Sequence, residues 1–287
     1  MLLGQFASLL DVSVTNVALP SIGRATGADA SQLQWMVTGY VLAFGLVPVI
    51  GGRLGDARGR RRMFLIAVIG FVTASVAVGL SPTPEVLIAA RVVQGVFGGM
   101  IGPQVSGFIQ STFAREERGR AFGRLGLTVG VGTAAGPVVA GLLIAAGGPE
   151  MGWRWVFFIN VPIGIVAVVL ARRWIRADRP STEPGPRRLD LLGAVLLGGG
   201  LFCLLFAIVE SGQDATPAVA LLLVPAAVLI AAFIRHEARL TRAEAGPLVD
   251  LRLFAVPSFV SGVVFAVVFF CSNTGIPLVL ALYYQDG

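Results

Sequence analysis

Three ionisable side chains stand where a charge is costly or tightly constrained. Asp11 lies between Leu10 and Val12 in an apolar stretch near the N-terminus. Arg91 lies inside another apolar stretch and is followed by Gln94 and Gly95. Asp56 occupies a loop bounded by Gly52 and Gly59 that runs on into Arg60, Arg61 and Arg62. Desolvation favours the protonated form of a carboxyl group, so a carboxylate in an apolar helix is a candidate proton site. Near a membrane surface the same group would be merely interfacial. An arginine within a membrane costs on the order of 2.5–3.5 kcal/mol on insertion scales and marks a pathway or relay. The alternative is snorkelling, because Arg91 lies about a turn and a half inside its span. Asp56 is placed either to cap a helix or to pair with an arginine, as at a gate whose contacts differ between two states. The plainer reading of that loop is positive charge at a membrane surface.

The elements that must position these groups are membrane helices. The chain has 287 residues, 55% hydrophobic and 13% charged, with a mean hydropathy of +0.82. Soluble domains carry about 25% charged residues. The 37 glycines suit closely packed membrane helices. The net charge of +6 comes from arginine without any lysine, and it falls in short loops rather than on a soluble basic face. Nucleic-acid binding is therefore excluded as a function class. Cys203 and Cys271 both fall in apolar stretches and read as small packing residues, not as a disulfide.

About 20 apolar residues make a membrane span, and about nine such stretches are present. They lie near Leu2–Pro20, Trp35–Arg53, Met63–Leu80, Val86–Ile109, Ala121–Ala146, Trp153–Ala171, Leu189–Val209, Pro217–Ile234 and Pro257–Tyr284. Alternate loops hold Arg53 through Arg62, Arg115 through Arg124, Arg172 through Arg188, and Arg235 through Arg252. The opposite loops offer Arg24 and Arg154. The arginine-rich side is predicted to be cytoplasmic, with the N-terminus inside and Gly287 outside. The N-terminal stretch lacks a basic region and a cleavage site, so it reads as a span and not as a signal peptide. Residues upstream of Met1 are left open. His236 falls in an inner loop and is read as solvated, as are Glu210 and Asp214 at an outer turn.

The proline-rich, charged segment between Arg172 and Arg188 divides six spans from three. The expected organisation is a bundle over 1–172, a linker over 173–188 and a two-helix insert over 189–234. A cytoplasmic loop over 235–252 and a further helix over 253–287 follow.

The loop Gly52-Arg53-Leu54-Gly55-Asp56-Ala57-Arg58-Gly59-Arg60-Arg61-Arg62 resembles the cytoplasmic signature of the major facilitator superfamily. Arg91, Gln94 and Gly95 match that family's fourth-helix signature, which implies a role for Arg91 in proton transfer. Gly123, Gly132, Gly136-Pro137 and Gly141 resemble the fifth-helix signature of its antiporters, with Ala140 where the pattern has glycine. Those glycines are expected to form a groove for a neighbouring helix, and Pro137 to bend the span. Asp11 followed by Asn16-Val17-Ala18-Leu19-Pro20 resembles the first helix of the fourteen-span drug:proton antiporters. The string Gly152 to Pro162 resembles the same branch, with Trp153 and Trp155 expected to be interfacial anchors. The two spans after the linker fit the extra helices of that branch, and Pro277 through Gln285 resembles the start of its second bundle.

The resemblance implies an all-α polytopic membrane protein of about nine transmembrane helices. These would form a six-helix bundle, two extra helices and the first helix of an incomplete second bundle, about 60% of the family's length. It further implies proton-coupled export of hydrophobic or cationic drug-like compounds from the cytoplasm across the cell membrane. The proton gradient would drive it, with no cofactor and no metal. A second bundle is expected as a partner, without which the chain should not transport. Proton-coupled uptake, and a fragment that acts only with a partner bundle, are the alternatives. An enzyme is not expected, because neither a His/Glu metal pair nor a serine–histidine arrangement is present.

Overall fold

In lipid every backbone N–H and C=O needs an internal partner, so apolar stretches of this length must become helices. The computed structural model describes residues 1–176, 190–211, 217–243 and 247–268, and no strand occurs among them. The helices are α1 (Leu2–Thr26), α2 (Ala30–Leu46), α3 (Pro48–Arg58), α4 (Arg60–Gly79), α5 (Pro84–Thr112), α6 (Arg115–Phe158), α7 (Asn160–Trp174), α8 (Leu191–Ser211) and α9 (Pro217–Arg242). A 3₁₀ turn at Leu251–Ala255 leads into α10 (Pro257–Val268). Linker residues 177–189, Asp214, Cys271, the resemblance at 277–285 and the remainder of the last predicted span lie outside the described residues, as does the Glu210 side chain.

Two predicted boundaries shift, each for a local backbone reason. The expected span Trp35–Arg53 is broken into α2 and α3, which meet at 44°. Pro48 opens α3 and has no N–H to bond back into α2. The fifth span and the start of the sixth are merged within α6, whose non-helical break is Gly148, at φ 70°, and the sixth continues as α7. Spans therefore run Arg115–Gly148 and Glu150–Trp174. The backbone keeps helical dihedral angles at Pro137, and the break falls at the glycine.

Six described helices are long and apolar enough to cross a membrane, and the α2–α3 pair makes a seventh. The helical segments Leu192–Ile208 and Pro257–Val268 are apolar but shorter. Helix α1 packs along α6 and α7, α4 lies against α5 and α7, and α2 lies against α5. Two buried clusters fill the bundle. One is built around Phe64, Phe71, Met63 and Ile101, the other around Leu10, Ile22, Leu87 and Phe157. Helices α8 and α9 pair as a hairpin that docks on α2, where Trp35 and Phe206 bring their rings to 5.4 Å.

Candidate functional site

The two apolar clusters meet at a group of polar side chains that has no contact with solvent. Asp11, on α1, is 0% exposed, and Arg91, on α5, is 1% exposed. Arg91 Nη1 donates to Asp11 Oδ2 at 2.6 Å and to Gln94 Oε1 at 2.7 Å. Gln94 Nε2 donates to Asp11 Oδ1 at 2.9 Å, and Asn160 Nδ2 donates to the same oxygen at 2.7 Å. Ser75 Oγ, on α4, lies 3.1 Å from Gln94 Nε2 and 2.9 Å from Asn160 Nδ2, and it donates to Phe157 O at 2.9 Å. The guanidinium rests 4.0 Å from the Tyr40 ring centre and 5.6 Å from that of Phe157. Side chains from five helices, α1, α2, α4, α5 and α7, thus form one polar group around the Asp11–Arg91 pair.

The carboxylate is held by one cation and two amide donors, and charge-assisted bonds of this kind are about twice as strong as neutral ones. A buried pair is tolerated only when its remaining hydrogen-bonding groups find partners. Arg91 Nε and Asn160 Oδ1 are buried without one, so the pair is not fully satisfied in this arrangement. Adding a proton to Asp11 would cancel its charge and weaken the hold on Arg91. The arrangement is able to couple protonation to the relative placement of α1 and α5. The interfacial and snorkelling alternatives for Asp11 and Arg91 do not apply to this arrangement, because both side chains point into the bundle.

Small residues let the helices approach closely around this site. Gly95, beside Gln94, sits on α2 so closely that a Cβ there would stand 2.5 Å from Tyr40 O. On α6, Gly132, Gly136 and Ala140 repeat every fourth residue and are buried. A Cβ on Gly136 would stand 2.2 Å from Ser13 Oγ of α1, and one on Gly132 3.3 Å from Phe6. Gly123, Pro137 and Gly141 are exposed, and the two glycines have no neighbour within 4 Å. The expected groove is therefore made by Gly132, Gly136 and Ala140, while the other members of the pattern face away from α1.

The signature loop is the α3–α4 junction. Gly59 turns the chain there at φ 97°, a conformation that favours glycine. Asp56 pairs with Arg60 one turn later, and Arg60 Nη1 donates to Pro103 O of α5 at 3.3 Å. Gln104 Nε2 donates to Gly51 O at 2.7 Å, tying α3 to α5, and a Cβ on Gly52 would stand 3.7 Å from Pro103. Arg61 Nη2 donates to Arg172 O at the end of α7, 3.0 Å away. Asp56 and Arg60 are solvent-facing, with side chains 54% and 26% exposed. This loop and the Asp11–Arg91 group are separate sites on α3–α4 and α1–α5, joined through α5.

Several participants carry no signal in the sequence. Tyr40, Ser75 and Gln104 are ordinary residues for such spans, and only their burial identifies them. Asn160 lies in the string read as an interfacial edge, and its amide enters the core because α7 begins there. Trp153 is 1% exposed and meets Phe157 edge-to-face at 6.3 Å, so it packs inward and does not anchor at an interface; Trp155 is 39% exposed. His236 is half-buried and bonded to Asp190 at 3.0 Å, not solvated. Cys203 is a free, partly buried thiol. No group of His, Cys, Asp and Glu suited to a metal occurs among the described residues.

The family model described as Major Facilitator Superfamily matches residues 1–286. The chain is 39% identical over 285 residues to the probable actinorhodin transporter of Streptomyces coelicolor, covering 99% of this chain and 49% of that protein. It is 34% identical over 285 residues to the tetracenomycin C resistance and export protein of Streptomyces glaucescens, covering 99% and 51%. It thus spans about half the length of these relatives. Its fold is similar to that of the POT family transporter PepTSo, with a TM-score of 0.55 at 16% identity over 81% of this chain and 50% of that one.

Proposed function

The chain belongs to the Major Facilitator Superfamily, and on that premise we propose that it is the N-terminal part of a proton-coupled exporter of hydrophobic or cationic drug-like compounds. It is a multi-pass membrane transport protein. The observation that carries the proposal is the buried Asp11–Arg91 pair at 2.6 Å, with Gln94, Asn160 and Ser75 around it. Asp11 takes up and releases the proton, and Arg91 holds the carboxylate when the proton is absent. Gln94 and Asn160 orient the carboxyl group in both states, and Gly95 lets α2 and α5 close on the pair. Asp56, Arg60 and Arg61, with Gly52 and Gly59, form a gate whose contacts to α5 and α7 are remade as the protein switches. The stripe Gly132–Gly136 sets how closely α1 and α6 approach, with Gly123, Pro137 and Gly141 on the far side of that helix.

The direction of transport is drawn from the relatives, two of which are named for transport or for resistance and export. The arginine-rich loops lie in the cytoplasm, and the membrane is the cell membrane. Residues 1–172 form the bundle, 189–234 the extra pair, and 253–287 begin a second bundle. Alternating access rocks two bundles around a midplane site, and this chain spans about half the length of its relatives, so transport calls for a facing bundle beside residues 1–287. The 287 residues alone do not transport. The test is expulsion of ethidium, a hydrophobic cation, by cells that make the complete protein. Efflux should stop when a protonophore collapses the gradient and should be absent from cells making residues 1–287 only. Efflux that survives the protonophore contradicts proton coupling.

A further inference from the structure

Beyond α9 the chain returns to the bundle, and three titratable side chains gather beneath the returning segment. His236 Nε2 lies 3.0 Å from both carboxyl oxygens of Asp190, and the N–H of Gly193 donates to Asp190 Oδ1 at 2.9 Å. Glu237 is 0% exposed, and its Oε2 accepts the Val249 N–H at 3.0 Å. Its other oxygen, Oε1, is buried with no donor. That oxygen and Asp190 Oδ2 converge on Gly193, where a Cβ would stand 2.8 Å from the first and 2.1 Å from the second.

Two carboxylates that share a buried space do not both ionise readily. A single proton on Glu237 Oε1 supplies the missing donor and turns repulsion into a hydrogen bond to Asp190. The same Glu237 holds the segment 247–249, and that segment holds the gate helix. Arg53 of α3 donates to Leu248 O at 3.0 Å and to Pro247 O. The Leu248 side chain is buried with Ala194 and Phe233, and Val49 and Ile50 of α3 pack against them.

We propose that Asp190, His236 and Glu237 form a second proton-binding site, whose occupied form straps residues 247–249 onto α3. The site stands on geometry of its own, independent of the transport reading. The other charged groups near it among the described residues have partners of their own or are exposed. Arg53 reaches the strap's carbonyls, Arg252 donates to Thr241 O at 2.9 Å, and Asp250 accepts the Arg252 N–H. Arg235, Arg239 and Arg242 of α9 are exposed. Loss of the proton leaves Glu237 facing Asp190 with like charge, so the strap loosens as pH rises.

The test is amide hydrogen exchange over 247–255 in the full 287-residue chain in lipid nanodiscs, corrected for the intrinsic pH dependence of exchange. Protection is expected to be high in acid and to fall about tenfold per pH unit through the titration, the signature of one proton. Glu237→Gln, whose amide donates to Asp190 and still accepts from Val249, should stay protected throughout. Asp11→Asn should keep the wild-type pH response. Protection that does not change with pH overturns the proposal, as does a Glu237→Gln chain that responds like wild type. Loss of the response in Asp11→Asn also overturns it, by assigning the proton to the bundle core.

Discussion

Arg91 Nη1 and Asp11 Oδ2 lie 2.6 Å apart although 80 residues separate them, and neither side chain reaches solvent. Removing one member of a buried pair leaves the other uncompensated, at a cost of about 3–5 kcal/mol. Arg91→Ala is therefore expected to lower the melting temperature in detergent sharply. Adding Asp11→Asn should restore part of the loss, because the orphaned charge is gone. Thermal unfolding of the single and double variants checks this. Additive losses would mean that the two groups do not interact.

The glycines of α6 should separate by face. Gly136→Ala places a Cβ 2.2 Å from Ser13 Oγ and 3.1 Å from the Ser13 backbone carbon, which cannot yield without moving α1. Overpacking of this kind costs about 1–3 kcal/mol. Gly141→Ala meets nothing within 4 Å and should be neutral or slightly stabilising. Melting curves of the two variants distinguish the faces.

The α3–α4 junction should divide stability from switching. Gly59→Ala forces a side chain to φ 97°, which costs about 1–3 kcal/mol. Asp56→Asn removes only an exposed pair one turn apart, worth about 0.2–0.5 kcal/mol. It should leave the melting temperature almost unchanged while reducing ethidium efflux by the complete protein. Equal efflux by wild type and Asp56→Asn would remove Asp56 from the gate.

These contrasts show what the sequence made legible. Asp11, Arg91 and Gln94 stood out because a polar group in an apolar span needs a reason. Asn160 did not, because it follows a tryptophan-rich edge, and its depth depends on where α7 begins. Ser75 and Tyr40 are common in such spans, so only tertiary packing reveals that they surround the pair. The glycine pattern of α6 was visible, but its active face was not, since spacing alone does not say which helix lies opposite. The bend at Pro48 and the break at Gly148 have local causes, a missing N–H and a positive φ. Several other prolines and glycines lie within these helices, however, and composition alone does not say which of them interrupts the backbone. The His236 contact joins segments 46 residues apart, and reading it required the α8–α9 hairpin.

Asp190 gives a pH dependence of known sign. Burial pushes its carboxyl group up, but hydrogen bonds from the Gly193 N–H, His236 and Glu237 outweigh that and hold it below the ordinary carboxylate value. A depressed folded value contributes stability that is present above the unfolded value and is lost as pH falls through the folded one. Asp190→Ala should therefore melt lower than wild type near neutrality, with the difference closing in strong acid. Melting curves across pH check the sign, and a gap that widened in acid would reverse it.

In the proposed mechanism Asp11 exchanges a proton while Arg91 holds its ionised form. Infrared difference spectroscopy, recorded as pH is stepped on the protein in nanodiscs, reads this directly from the protonated carboxyl stretch. The expected result is a protonated-carboxyl band that responds to pH in the wild type and is absent from Asp11→Asn. A titrating carboxyl spectrum identical in wild type and Asp11→Asn would contradict it.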